Sequence, residues 1–469
     1  MDSRIDQFLR KVMSAHQLPG LAIGVVREKQ VIFEAGFGVS DFSGNRPITA
    51  HSLFHLASIS KLFVAIDILQ LVEKGGLFLD DPVIQYLPAF KIRSGDYGAI
   101  TVRQLLSHTS GLPDITDYHW DQPENDPGAL GRYVQSLGDV ELLSKPGEVF
   151  SYSNMGYEIL GHLIASVAGT SFEDQIKDSI LSPLGMVTST HLRQSVPADL
   201  SVSPHLRMPT TRLSDIYPYH RAHAPSSTLH SSAHEMNIWA LTNLNRGRMS
   251  AATILAPKSY DELWKPVARV GGANPLTGSV GLGWFLGEQR GQLTVSHSGQ
   301  DIGFTSLFIL LPEAGTGVTV LCNAAPAPTR EIAIGILDII MGYEPAPILP
   351  SIMVPLGRVY QESGIEALRR QYKSIQSTLP SAYDFRPEEL FRVVSALLDS
   401  NQNEDAISLI NWVLEDVSPN DAQGFELLAR ANFQMGNIEA ALKYALRSLE
   451  INPNNAFLRQ QIKPLLGEG

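Results

Sequence analysis

The sequence predicts an α+β fold. An antiparallel sheet is flanked by terminal helices, a mainly helical second lobe interrupts it, and an all-α extension follows. Three observations carry this. β-branched and aromatic runs separated by turn residues occur near residues 20–40 and again near 282–325. Helical periodicity dominates the span between them. Beyond residue 345 the chain becomes proline-rich and then repetitive.

At 469 residues the chain exceeds one ordinary core, so two or three domains are expected. A formal charge of -12 argues against nucleic acid as a partner, because that needs a basic footprint. The opening stretch, "MDSRIDQFLRKVMSAHQLPG", reads as an amphipathic helix with charges throughout rather than a secretory leader. No apolar run approaches the roughly 18 residues of a membrane span, so the expectation is a cytoplasmic enzyme without one. Cys322 is the single cysteine, which excludes an internal disulfide and a cysteine-based zinc site.

Next comes "LAIGVVREKQVIFEAGFGVSD", a hairpin turning at Arg27-Glu28-Lys29-Gln30. Its partners are sought downstream, in "GLGWFLGEQRGQLTVSHSGQDIGFTSLFILLPEAGTGVTVLCNA", which reads as three or four strands. Turns fall at Glu288 to Gly291 and Pro312 to Gly317, and the helix "TREIAIGILDIIMGY" follows. An isolated hairpin is barely stable, so both strand regions are expected to share one sheet, with a cleft between it and the helical lobe.

The segment "FHLASISKLFVAIDILQLVEKGGL" poses a chemical question. Leu62, Ala65, Leu69 and Val72 recur at helical spacing and Gly75-Gly76 stops the pattern, yet Ser58 and Lys61 stand at its head. Burying a lysine is costly. On a helix, positions three apart share a face, and a desolvated lysine beside a serine hydroxyl can help take its proton. A capping serine and a snorkelling lysine would have the same spacing.

Two further motifs separate these readings. Tyr152-Ser153-Asn154 lies in a loop before an apolar helix, and His297-Ser298-Gly299 lies at the end of a strand. With Ser58-x-x-Lys61 in that order, together with "ITVRQLLSHTSGLPD" and "GLGW", residues 3–345 resemble the serine β-lactamase and penicillin-binding protein superfamily. The closest likeness is to its class C β-lactamase-like branch, which includes family VIII carboxylesterases and D-aminopeptidases. The resemblance implies a β-lactamase/transpeptidase-like fold, no metal and no cofactor. It implies Ser58 as an acylated nucleophile, Lys61 as the group that helps deprotonate it, and Tyr152 as general base and then acid through an acidified phenol. It implies Asn154 as the amide that positions Lys61 and substrate. The backbone N–H groups of Ser58 and Gln300 would form the oxyanion hole, and Gly299 would let substrate approach the strand edge. Lysine usually opens the third motif in class C β-lactamases, and His297 stands there instead. Histidine is charged only part of the time near neutral pH, which favours a small ester or amide, or a peptide-like substrate, over a β-lactam. An acyltransferase using the same acyl-enzyme, a β-lactamase and an inactive binding scaffold are the alternatives.

Other features read as structural. His108 sits at a helix-to-turn signal. His220, His223, His230 and His234 crowd one tract, but no carboxylate accompanies them in register and no metal is expected there. The segment from Gly185 to Ser227 reads as a loop that walls the pocket.

The domain reading follows: 1–345 hydrolase, 346–358 proline-rich linker, 359–469 helical. "DAQGFELLARANFQMGNIEAALKYALRSLEINPNN" resembles a tetratricopeptide repeat, with Phe425, Leu428, Ala429, Gly436, Ala441, Ser448 and Pro453 on its signature positions. Pro419 and Pro453 lie 34 residues apart, and Ala406 and Ala441 lie 35 apart. About two and a half such units are present where about three usually close a core, so docking on the hydrolase lobe, a protein partner or self-association is expected.

Overall fold

A computed structural model of the chain describes all residues except 43, 45, 94, 272–273, 454, 456–457, 460–461, 463–465 and 467–469. The last residues of the C-terminal span, 467–469, therefore lie outside the described residues. The chain forms two compact units. One comprises Met1–Ser14, Leu18–Leu206 and Leu213–Ala346; the other comprises Ala15–Gln17, Arg207–Arg212 and Pro347–Gly469.

The first unit is built on one eight-stranded sheet. Its strands are β1 (Gly20–Arg27), β2 (Gln30–Gly38), β3 (Ala268–Arg269), β4 (Ser279–Val280), β5 (Phe285–Gln289), β6 (Gln292–Asp301), β7 (Phe304–Leu311) and β8 (Thr316–Cys322). The spatial order is β2-β1-β8-β7-β6-β5-β4-β3, and every pairing is antiparallel. The expected joining of the two strand regions occurs between β1 and β8, where Leu21 faces Cys322 and Val25 faces Val318. The first hairpin turns on Glu28 and Lys29, both at positive φ, the twist that suits a two-residue hairpin turn.

Helices follow the same logic. α1 (Asp2–His16) buries Ile5, Leu9 and Val12. α2 (Ser60–Glu73) is buried nearly all round, which explains why its apolar residues exceed a single stripe. α3 (Val102–Leu106) starts with a capping box on Thr101 and Gln104, and α4 (Asn154–Ala168) starts on Ser153. α5 (Ala233–Leu244) packs against β1 and β8. α6 (Thr329–Ile340) meets α1 at Gly335, where any Cβ would lie 2.3 Å from the Phe8 ring.

In the second unit, α7 (Met353–Thr378) is broken at Gly364, whose φ of 73° is non-helical. It is followed by α8 (Pro387–Asp399), α9 (Asn403–Trp412), α10 (Ala422–Gln434) and α11 (Ile438–Ile451). α8 and α10 begin 35 residues apart, as do α9 and α11. The proline-rich stretch 346–358 is not linker throughout. Helix begins at Met353, because Pro355 falls in the first turn, where no intrahelical donor is required. The Gly185–Ser227 segment is also divided, since Arg207–Arg212 belongs to this second unit. Among the described residues, no helix is long and apolar enough to cross a membrane.

Candidate active site

Ser58 does not lie on α2 itself. It sits in the 3₁₀ turn Ala57–Ile59 immediately before it. Ala57 is buried with φ at 48°, a left-handed conformation that a residue with a Cβ adopts only when its surroundings impose it. The surroundings are visible. Ser60 Oγ donates to the Ala57 carbonyl (2.7 Å) and accepts from Leu229 N–H (3.0 Å), while Phe54 and His55 pair with Ser231 and His230.

The turn presents Ser58 Oγ to two groups. Lys61 Nζ lies 2.9 Å away and Tyr152 Oη lies 3.0 Å away. Lys61 is fully buried and also donates to the Ser226 carbonyl (2.8 Å). Burial pushes its ammonium down to about 8, against the pull of Glu158, Asp114 and Asp301 toward the charged form. Tyr152 behaves differently from the expected acidified phenol. Burial drives it well above the ordinary tyrosine range, and the three carboxylates add to the rise, although the Ser58 hydrogen bond opposes it. Lys61 Nζ stands 5.2 Å from the Tyr152 ring centroid, too weak an influence to reverse that.

The Tyr152-Ser153-Asn154 motif is held from the "HTSGLPD" loop. Ser153 is the N-cap of α4, accepting from Gly156 N–H and donating to the Pro113 carbonyl (2.7 Å). His108 Nδ1 accepts from Ser153 N–H (3.1 Å) and its ring stacks on Tyr152 at 4.2 Å. His108 is thus structural, as its position suggested, yet its work is to aim the phenol. Asn154 is anchored by Asp114. Its Nδ2 donates to both Asp114 carboxylate oxygens (2.9 and 3.2 Å) and its backbone N–H donates to Oδ1 (2.8 Å), while its own Oδ1 is buried without a hydrogen-bond partner.

Behind Lys61 lies a layer the sequence reading missed. Glu158, fully buried on α4, accepts from Ser226 Oγ (2.5 Å) and lies 3.2 Å from His223 Nδ1. Burial raises its carboxyl, opposed by His223, Ser226 and Lys61. A glutamate inside the apolar run "YEILGHLIA" was the available signal. The histidine tract is dispersed: His223 serves Glu158, His230 Nε2 meets Tyr217 Oη (3.0 Å), His234 faces Glu34, and His220 caps its own turn.

The third motif lies on β6. Pairing with β5 ends at Ser296, so His297 to Asp301 keeps one edge free of β5. Gly299 fits there for a different reason from the one expected. A Cβ would stand 2.3 Å from the Leu56 carbonyl and 3.1 Å from Ala57 Cβ, so the glycine lets the strand close onto the turn that carries Ser58. Gln300 is exposed beside it. His297 is buried, with Nδ1 2.6 Å from the Ser298 carbonyl and Nε2 without a hydrogen-bond partner. Burial and the neighbouring Lys61 push it down to about 3, so it is neutral across the working pH range, not partly charged. We expect Gly299→Ala to lower kcat by about 10²-fold while costing about 1–3 kcal/mol of stability, since displacing reacting groups by an ångström is enough. Steady-state kinetics with a thermal melt check this; a fully active alanine variant would contradict the packing role.

The Beta-lactamase family profile matches residues 5–339. "Protein flp" of Staphylococcus aureus (strain N315) is 30% identical over 331 residues, covering 68% of this chain and 62% of its own length. The chain thus spans less than two thirds of the relatives it matches. "Penicillin-binding protein 4*" of Bacillus subtilis (strain 168) is 36% identical over 174 residues, 36% of this chain and 37% of that protein. The octameric penicillin-binding protein homologue from Pyrococcus abyssi superposes with a TM-score of 0.66 at 28% identity, covering 77% of this chain and 82% of that one.

Proposed function

The chain belongs to the Beta-lactamase family, a serine hydrolase superfamily of β-lactamase and penicillin-binding-protein type, and from that premise we propose that it cleaves small neutral esters or amides through an acyl-enzyme on Ser58. The observation that carries the reading is the contact of half-buried Ser58 Oγ with both the buried Lys61 Nζ and Tyr152 Oη. Lys61 is the group whose affinity for a proton lies nearest neutrality, so its neutral amine takes the Ser58 proton as Oγ bonds to the carbonyl carbon. Tyr152 holds its proton until the C–O or C–N bond breaks, donates it to the departing oxygen or nitrogen, and regains one from the Lys61 ammonium, which leaves Lys61 neutral. Water then attacks the acyl carbon and gives a proton to the neutral Lys61 amine; the C–Oγ bond breaks, the Lys61 ammonium returns that proton to Ser58 Oγ, and the carboxylic acid leaves. The N–H groups of Ser58 and Gln300 are proposed as oxyanion donors, supported by the closure of β6 onto the nucleophile turn.

Substrate preference follows from charge. Glu158, Asp114 and Asp301 all act on Lys61, and the neutral His297 offers no fixed cation on β6. A substrate carboxylate therefore meets a site without an anchor. The test is a panel of short-chain esters, D-amino-acid amides and a chromogenic cephalosporin. Neutral or amine-bearing substrates are expected to lead, and wild type favouring the cephalosporin over every ester would overturn the preference. His297→Lys is expected to raise the cephalosporin-to-ester rate ratio about tenfold, roughly 1.4 kcal/mol of discrimination. In wild type that ratio should not follow His297 ionisation between pH 6 and 8.5, because the imidazole is already neutral.

For the second unit we propose a protein-binding or self-association role of the repeat type, supported by Phe433, Met435, Ile438 and Leu446, which α10, α11 and their connection leave exposed.

A further inference from the structure

Glu34, His51 and His234 come from three separate segments: edge strand β2, the turn after Ile48, and the first turn of α5. Each offers one ligand-type atom, and these atoms all lie within 4.8 Å of one another. We propose that they form a site for a divalent transition cation of the Zn2+ class, separate from the Ser58 centre, which pins the sheet edge and the 49–52 turn to α5.

The donor set suits that cation. Two imidazoles and one carboxylate are the borderline and hard ligands Zn2+ takes, at about 2.0–2.2 Å, and a fourth position stays open to water. The arrangement is braced as a ligand set rather than as a chance surface cluster. Asn237, only 1% exposed, reaches from α5 to donate Nδ2 to Glu34 Oε2 (3.2 Å). Its Oδ1 is buried without a hydrogen-bond partner. Room for that amide exists because Gly24, which faces Glu34 across the β1–β2 ladder, has no side chain; a Cβ there would lie 2.4 Å from Asn237 Oδ1. A buried residue thus fixes the carboxylate, as outer-shell partners do at metal sites.

The histidines are similarly fixed. His234 Nδ1 stands 3.2 and 3.3 Å from the two Glu34 oxygens. Its backbone N–H bonds to the Ala50 carbonyl (3.0 Å), which ties the His51 turn to α5 and brings the two rings to 4.5 Å. Glu34 and His51 are exposed and His234 is half-buried, so small rotations suffice to converge on one ion. The histidine tract alone could not supply this site, because two of the three ligands lie about 180 and 200 residues away from His234.

Isothermal titration of the metal-free full-length protein with Zn2+, alongside thermal melts, tests the proposal. One Zn2+ per chain is expected, with a Tm that rises with free Zn2+ as binding to the folded state requires. His51→Ala, at an exposed turn position, should weaken that binding at least about 10²-fold and abolish the Tm rise, and Glu34→Gln should weaken it about tenfold or more. Ca2+ and Mg2+ should not compete, since they prefer all-oxygen sites. Stoichiometry below one, or a His51→Ala protein that binds Zn2+ as wild type does, would overturn the site. Ser58 labelling is independent of either result.

Discussion

Ser58→Ala is expected to reduce ester turnover by at least about 10⁴-fold, because the hydroxyl is the atom proposed to bond to substrate. Lys61 keeps its bond to the Ser226 carbonyl in the variant, while Tyr152 Oη loses its acceptor. The stability cost should therefore be about 1–2 kcal/mol, since Lys61 and Tyr152 each lose the bond to Ser58 Oγ. Circular dichroism and a melt alongside the kinetics separate lost chemistry from lost fold. A folded alanine variant that kept more than a few per cent of the wild-type rate would remove Ser58 from the mechanism.

Lys61→Met should lower kcat/KM by about 10²–10⁴-fold, the range for removing a general base. Methionine keeps the length and buries without charge, so the fold should persist. The pH profile makes the test specific. Lys61 accepts a proton only when neutral, and burial lowers its value from 10.5 to about 8. The neutral fraction is then about a tenth at pH 7 and about half at pH 8. Wild-type kcat/KM should rise nearly tenfold per pH unit below 8 and level off above it, and the methionine variant should lose that limb. A variant that retained the limb would remove Lys61 as the base.

The sequence made much of this legible wherever a residue contradicted its surroundings. Ser58 and Lys61 at the head of an apolar helix demanded a reason, and the pairing of β1 with β8 followed from the cost of leaving a hairpin alone. Glu158 broke its own helix pattern in the same way and carried the same warning. Other roles needed the third dimension. Gly299 could be read as special, but that its missing Cβ faces the Leu56 carbonyl depends on how β6 crosses the nucleophile turn. His297 could be seen as a weak cation, but its full neutrality depends on burial beside Lys61. Asn154 matched its motif in identity, but that Asp114, forty residues earlier, anchors its amide nitrogen depends on the fold. The clustered histidines of 220–234 named no role in sequence, and the fold gives His223 to Glu158, His230 to Tyr217 and His234 to Glu34.

The central claim is that Ser58 becomes acylated. Intact-protein and peptide mass spectrometry after exposure to a fluorophosphonate tests it most directly. The account predicts one adduct per chain, on the peptide carrying Ser58, absent from Ser58→Ala. A folded wild-type protein that hydrolyses esters yet carries no adduct on Ser58, or carries it on another residue, would contradict it.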